Sequence, residues 1–188
     1  MAAYSNMPDG MEPGLENNAY YDPPNLTWPF GCYIVTVEVD PETGVYEIVD
    51  YAAVDDCGKR INPQIVEGQV MGATAQALGA ATHEQFAYDE DGNLLTPNFY
   101  DYHVPHALDM PPLRTGNLES PSPFTPLGTK GMGEGGGAGI HAVCAAIQDA
   151  LRDRGGAIVY DSCNPYHRVW ELLEHPERSR ELVSVVDA

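Results

Sequence analysis

Two runs rich in β-branched and aromatic residues, at 33–39 and 45–51, dominate the first part of the hydropathy pattern. Residues of these types favour extended strands. The five residues between the runs, Asp40 to Gly44, include a proline, a threonine and a glycine, which is typical of a turn. The pattern therefore predicts two strands joined as a hairpin.

A long helical pattern begins after these strands, where Asn62 and Pro63 have the character of an N-cap and a first-turn proline. Its apolar positions recur at helical spacing: Val66, Val70, Ala73 and Ala77. The helix also contains several glycines, each of which costs roughly 1 kcal/mol relative to alanine. We therefore expect a buried helix against which another backbone or a ligand packs closely. The amide of Gln69 could then hydrogen-bond either to nearby backbone or to a ligand.

Two further helices are expected in the second half of the chain. The longer one places its apolar residues on one stripe and ends near Gly155 and Gly156; the stripe contains Ile140, Val143, Cys144, Ile147 and Leu151. A short helix near the C-terminus contains Val169, Leu172 and Leu173. These helices, together with the hairpin, predict an α+β fold with two main buried helices.

The remaining segments predict little regular structure. Residues 1–29 lack periodicity and are expected to form an extended arm, and the proline-rich segment 97–126 is expected to run as extended chain over the surface. Two short strands, 86–88 and 94–95, are expected around a turn at 89–93. The sequence thus divides into an arm at 1–29, a main unit at 30–160, and a short helix with a tail at 161–188.

Charge and cysteine content exclude several classes of protein. The formal charge of −19 would repel nucleic acid and anionic membrane surfaces. No apolar run is long enough to span a membrane and no ordinary secretory signal is present, so a cytoplasmic location is expected. Four widely spaced cysteines lack a C-x-x-C pair, which argues against a local zinc or iron–sulfur site; they are Cys32, Cys57, Cys144 and Cys163.

The glycine-rich segment 128–139 holds the strongest candidate for chemistry, the carboxylate of Glu134. Glycines at this density allow unusual dihedral angles and the close approach of a bulky ligand. A flexible linker is one alternative, and a helix-capping glutamate without chemistry is another. The spacing of Gly131, Gly133 and Gly136 also fits G-x-G-x-x-G, but the prolines that precede it cannot form the buried strand of a dinucleotide-binding fold.

The densest group of histidine and aspartate contains Asp101, His103 and His106. Two histidines need a third ligand to hold a metal, and the proline-rich surroundings predict no regular face on which ligands converge. No metal site is expected there. Covalent catalysis is not expected either, because no serine or cysteine lies in an activating context.

Three segments in order resemble the large subunit of molybdenum hydroxylases, a family that includes xanthine dehydrogenase, aldehyde oxidoreductase and molybdenum-containing carbon monoxide dehydrogenase. The segments are 54–70, 88–95 followed by 101–102, and 127–134 with the helix that follows, and the resemblance covers about 20–154. Segments 21–25 and 28–30 are most similar to the carbon monoxide dehydrogenase branch. The resemblance implies that this chain corresponds to the C-terminal part of a molybdopterin-binding domain.

The resemblance also implies roles for individual residues. Glu134 matches the family's active-site base, which serves the oxidative hydroxylation of a substrate with water as the oxygen source. Gln69 matches a glutamine that hydrogen-bonds the cofactor. The other positions that match cofactor-binding segments are Gly68, Lys130, Gly133, Gly135 and Gly136. The chain has a Gly-Gly-Gly run where many relatives have a proline or a larger residue.

The implied cofactor is molybdenum–molybdopterin, expected in its cytosine dinucleotide form, with 2Fe-2S clusters and FAD on partner subunits. Because the chain begins with Met1 and the family's large subunit is several times longer, we expect a naturally split large subunit. A second molybdopterin-binding polypeptide would supply its N-terminal part. The implied substrate is an aldehyde, an N-heterocycle or other aromatic, or carbon monoxide. The alternatives are a non-catalytic structural or assembly subunit, and a dinucleotide-binding module that acts alone.

Overall fold

The structure of the chain is a computed structural model, which describes residues 7–11, 14, 16–159 and 161–179. Its elements are, in chain order, β1 (Phe30–Val39), β2 (Tyr46–Asp56), α1 (Pro63–Thr82), β3 (Leu113–Leu118), α2 (Gly139–Ala150) and α3 (Tyr166–Glu174), with a 3₁₀ turn at Arg152–Arg154. The predicted α+β class is confirmed. The start of the predicted arm, 1–6, and most of the predicted C-terminal tail, 180–188, lie outside the described residues.

The predicted hairpin is present, with β1 and β2 antiparallel and Tyr33 opposite Ala53. The side chain of Asp40 organises its turn by accepting hydrogen bonds from the Glu42 N–H and the Thr43 hydroxyl. Gly44 closes the turn with a φ of 72°, a backbone conformation that residues with a Cβ rarely adopt. Local turn chemistry therefore fixes the register of the first two strands.

A third strand, β3, was not predicted, because segment 97–126 was expected to contain only unpaired extended chain. β3 runs parallel to β2, with Tyr51 opposite Leu113 and Asp56 opposite Leu118, so the sheet order is β1-β2-β3. An ion pair between Arg114 and Asp50 links the two strands. Parallel pairing joins residues far apart in sequence and leaves no turn signal, so local patterns do not reveal it.

The prediction of a second pair of strands, at 86–88 and 94–95, is wrong. Only an isolated bridge, Tyr88 to Leu94, forms around the turn at 89–93. Asp89 holds this turn by accepting a hydrogen bond from the Asn93 N–H at 2.8 Å. Residues 16–29 of the predicted arm contain neither helix nor strand, and the side chains of Tyr20 and Trp28 are exposed. The proposed domain boundaries stay a prediction.

One hydrophobic core lies between the sheet and the helices. Side chains alternate across a strand, and the face that carries Tyr33, Tyr51 and Ala53 packs against this core. Helix α2 contributes the predicted stripe, of which Val143 and Ile147 are fully buried. Helix α3 adds Val169 and Leu172 to the same core. None of the helices in the described ranges combines the length and apolarity needed to cross a membrane.

Helix α1 begins as predicted, with the Asn62 side chain accepting a hydrogen bond from the Ile65 N–H. The expectation that the whole helix is buried is wrong. Its C-terminal half packs into the core, whereas most side chains before Val70 are exposed. Apart from the backbone of its own helix, a Cβ added at Gly68 or Gly72 would meet nothing among the described residues within 4 Å. Within this chain, therefore, nothing packs closely against those two glycines.

A buried ion pair ties the end of β2 to the glycine-rich segment. The Lys130 ammonium lies 3.1 Å from Asp56 Oδ1, and the two side chains are only 8% and 2% exposed. Ser120 donates to Asp56 Oδ2 from both its N–H and its hydroxyl, and the Lys130 ammonium also stands over the Phe30 ring. Burial would raise the pKa of Asp56, but these donors outweigh burial and hold the pKa at about 2.

This network predicts a specific acid sensitivity. Because the folded-state pKa of Asp56 lies below its ordinary value of 3.8, the carboxylate stabilises the fold fully above that value and loses this contribution as pH falls towards 2. We expect the difference in unfolding free energy between the wild-type chain and Asp56→Asn to shrink steadily over that window. Urea unfolding at several pH values measures it. A difference that stays constant across the window would contradict the assignment.

Candidate functional site

Glu134 lies on an exposed loop in front of helix α2. The loop is fixed at its start, where Gly58 and Thr129 form an isolated bridge and the Lys130 N–H donates to the Cys57 carbonyl. Helix α2 begins only at Gly139, and its N-cap residue is Ala138. Glu134 therefore does not cap this helix, and the capping alternative is wrong. Its carboxylate makes no hydrogen bond or ion pair with any residue in the described ranges.

Gln69 lies directly beside this loop. Its side-chain amide donates to the carbonyl of Gly133 at 3.1 Å, which joins the exposed half of α1 to the loop. The amide nitrogen of Gln69 thus donates to nearby backbone, which is one of the two interpretations of the sequence. The side chain is exposed, so its oxygen can still accept a hydrogen bond from a ligand.

Gly136 brings the loop into close contact with α1. Its φ is +89°, and an added Cβ would lie 2.6 Å from the Val70 carbonyl oxygen. The Gly136 N–H donates to the Tyr33 hydroxyl at 3.0 Å, and that hydroxyl donates to Asp55 Oδ1 at 2.6 Å. Burial and the bond to Asp55 raise the pKa of Tyr33 to about 12. The loop is therefore held in place, which excludes the flexible-linker alternative.

The outer surface next to Gln69 and Glu134 exposes backbone at four glycines, 68, 72, 131 and 133, and is called the bare surface below. Cβ atoms added at Gly131 and Gly133, as at Gly68 and Gly72 of α1, would meet nothing within 4 Å. A cleft of about 270 Å³ adjoins this surface, between α1 and β3. It is lined in part by Asp55, whose Oδ2 is buried without a hydrogen-bond partner among the described residues, and by Arg60, whose buried Nε has only an ion-pair contact with Glu119 at 3.7 Å. Open backbone beside unsatisfied polar atoms suits a large polar ligand.

The predicted cofactor-binding residues fall into two environments. Gly68, Gln69 and Gly133 lie on the bare surface, with Glu134 beside them. Lys130 lies behind the loop in its ion pair, and Gly136 is buried against α1. A Cβ on Gly135 would clash with the Met132 methyl group, inside the loop itself.

Sequence reasoning missed the residues that support the loop. Tyr33 lies in a predicted strand, and Asp55 and Asp56 lie in a motif segment, but the sequence assigns none of them a role in the site. The signal that could have found them is the pair of consecutive aspartates at the end of a strand, because a buried carboxylate requires partners. The strand predicted to be absent before G-x-G-x-x-G is indeed absent, since β3 ends at Leu118.

The two glycines at 133 and 136 provide a direct test of this geometry. Gly136→Ala places a Cβ against the Val70 carbonyl at a positive φ, so we expect a loss of several kcal/mol in unfolding free energy. Gly133→Ala adds a Cβ in open space, so we expect a change within about 0.5 kcal/mol. Urea unfolding of the two variants measures both effects. Equal destabilisation would show that the loop is not seated on α1 in this way.

Comparison with known proteins agrees with these features. Residues 1–111 match the family model of a molybdopterin cofactor-binding domain. The carbon monoxide dehydrogenase large chain of Afipia carboxidovorans is 43% identical over 150 residues, which are 79% of this chain and 18% of that one. The nicotine 6-hydroxylase large subunit of Paenarthrobacter nicotinovorans is 41% identical over 182 residues, covering 95% of this chain and 21% of that subunit.

Solved structures show the same relationship. Carbon monoxide dehydrogenase from Oligotropha carboxidovorans superposes with a TM-score of 0.80 and 39% identity, over 94% of this chain and 22% of that one. The chain thus spans about a fifth of the length of the relatives that it matches. The match to the nicotine hydroxylase is long enough to include the Glu134 loop. The resemblance read from the sequence is confirmed, and the chain belongs to the molybdopterin cofactor-binding domain family.

Proposed function

We propose that this chain forms one wall of the active site of a molybdopterin-dependent oxidoreductase that hydroxylates a small substrate with water as the oxygen source. One observation carries the proposal. Glu134 stands with a free carboxylate beside Gln69, on a surface where four glycines leave backbone uncovered. A carboxylate without competing partners is available to a ligand, and a surface without side chains lets a large cofactor approach.

The residues on the bare surface fit the expected cofactor. Gly68 and Gly133 would lie against it, and the Gln69 amide oxygen would accept a hydrogen bond from it. Lys130, Gly135 and Gly136 would act by positioning, because their contacts lie within the loop and against the core. We expect the cofactor to be molybdenum–molybdopterin in its cytosine dinucleotide form. When bound, it supplies a centre that accepts two electrons from the substrate.

Glu134 would serve as the general base of the reaction. Its loop is anchored on both sides, by the Lys130–Asp56 ion pair and by the bond from Gly136 to Tyr33. This anchoring fixes where the carboxylate can take a proton, and a general base must lie within hydrogen-bond reach of that proton. Gly133, directly before Glu134, leaves room beside the carboxylate for a substrate, because an added Cβ there would meet nothing within 4 Å.

The rest of the pocket would come from sequence that corresponds to the other four-fifths of the relatives. We propose that a second molybdopterin-binding polypeptide supplies it, with iron–sulfur and flavin subunits carrying the electrons away. The relatives' names include carbon monoxide and nicotine, so we propose a small substrate among carbon monoxide, aldehydes and N-heterocycles or other aromatics. The cytoplasmic location stays a prediction.

Glu134→Gln tests the catalytic role. We expect turnover of the assembled complex to fall by about 10²–10⁴-fold, which is typical for loss of a general base. Molybdenum and pterin content and subunit composition should stay at wild-type values, because the Glu134 carboxylate makes no hydrogen bond or ion pair with the described residues. The assay uses whichever of the proposed substrates the native complex oxidises fastest. Glu90→Gln, which changes another exposed glutamate, is the matched control. Unchanged turnover in Glu134→Gln would favour the non-catalytic alternative.

Gly68→Ala separates stability from cofactor binding. Alanine is a better helix former than glycine, and its Cβ would meet no atom within 4 Å in this chain. We therefore expect the variant chain to gain about 0.5–1 kcal/mol of unfolding free energy. The assembled complex should nevertheless contain less molybdenum and pterin, because the added methyl group would lie against the cofactor. Wild-type cofactor content would show that Gly68 does not face it.

A further inference from the structure

A group of metal-ligating side chains lies away from the Glu134 loop, in the segment between α1 and β3. His103 Nε2 lies 3.3 Å from Asp109 Oδ2, and His106 Nδ1 lies 3.1 Å from the same oxygen. The three ligand atoms all lie within 4.8 Å of one another. This grouping differs from the one considered in the sequence, because Asp101 instead accepts a hydrogen bond from the Asn98 amide.

The spacing of these atoms suits a tetrahedral metal ion. With metal–ligand bonds of 2.0–2.1 Å, two ligands of a tetrahedral ion lie about 3.3–3.4 Å apart. The two nitrogen–oxygen separations are close to this value. They are longer than the roughly 2.7–2.9 Å that is usual for a charged imidazole–carboxylate hydrogen bond. The three atoms lie within 4.8 Å of one another, so binding requires the two partly exposed histidine rings to move until their nitrogens are also about 3.3–3.4 Å apart.

We propose that His103, His106 and Asp109 bind a divalent transition-metal ion of the zinc class. Two imidazoles and one carboxylate favour Zn²⁺, Co²⁺ and Ni²⁺ over Mg²⁺ and Ca²⁺, which prefer oxygen ligands. The two histidine side chains are 43% and 59% exposed, so the ion would keep an open position towards solvent. The formal charge of −19 also raises the local concentration of cations around the chain.

The ligands are already held close to a binding arrangement. Asp109 Oδ2 accepts the backbone N–H of His106, and the Asp109 N–H donates to the His106 carbonyl, which closes a tight turn. The ring of His83, at the end of α1, packs on the ring of His103 at 4.9 Å. Pro105, between the two histidines, lies so near α1 that a Cβ added at Gly79 would be 2.7 Å from its Cγ. Little conformational entropy is then lost when an ion binds.

The site is separate from the surface that carries Glu134. His83 and Gln69 are 14 positions apart on one helix and its cap, which corresponds to about 21 Å along the axis. The ion would cross-link the side chains of the turn at 103–109, which lies between α1 and β3. We therefore assign it a structural role that does not depend on the proposed catalytic function.

Metal titration of the chain 1–188 tests the site. The chelator-treated chain is titrated with Co²⁺ and then with Zn²⁺, in an excess of Mg²⁺ that occupies sites made only of carboxylates. We expect one equivalent of Co²⁺ to give the visible absorption of a four-coordinate nitrogen–oxygen site, and Zn²⁺ to displace it. Zinc should also raise the melting temperature, since it binds only the folded turn.

Substitutions of the three proposed ligands test whether these side chains bind the metal. His103→Gln, His106→Gln and Asp109→Asn should each weaken Co²⁺ binding by roughly tenfold or more. The matched control is His141→Gln, which changes an exposed histidine on α2 outside the group. The two histidine variants alter partly exposed side chains, and circular dichroism checks that they fold. The proposal is overturned if wild type binds no stoichiometric Co²⁺, or if the ligand variants bind it as tightly as the control.

Discussion

The close contact between the glycine-rich loop and helix α1 is the constraint on which the candidate site depends. At Gly136 the loop backbone lies so near the Val70 carbonyl that no larger residue fits. The same residue donates its N–H to Tyr33, whose hydroxyl bonds to the buried Asp55. Helix, sheet and loop therefore meet at one residue. Because this contact fixes the loop, Glu134 is presented at a defined position beside Gln69.

The chain is well packed on one side of this contact and uncovered on the other. The core side contains Tyr51, Val143 and Ile147, all fully buried. The outer side exposes apolar side chains as well as glycines, among them Ile65 and Met71 of α1. Exposed apolar surface of this kind is typical of an interaction site. In the proposed assembly, this side faces the cofactor and the remaining parts of the large subunit.

Features set by neighbouring residues could be predicted from the sequence. The hairpin at Asp40–Gly44, the N-cap at Asn62 and the apolar stripe of α2 all depend on residues within a few positions of one another. The pairing of β3 with β2 could not be predicted, because it joins distant segments without a turn between them. For the same reason, only some residues of the candidate site could be predicted from the sequence. Glu134 and Gln69 belong to recognisable motifs, whereas Tyr33 reaches the loop only through the fold.

Amide hydrogen exchange of the Glu134 loop tests the central claim most directly. The loop from Gly131 to Glu134 is to be compared in the full chain alone and in the cofactor-loaded complex. If this loop forms the wall of a cofactor pocket, its amides exchange rapidly in the chain alone and become strongly protected in the complex. The amides of α2, already in helical hydrogen bonds, serve as the internal reference. Equally rapid exchange of the loop in both states would contradict the account.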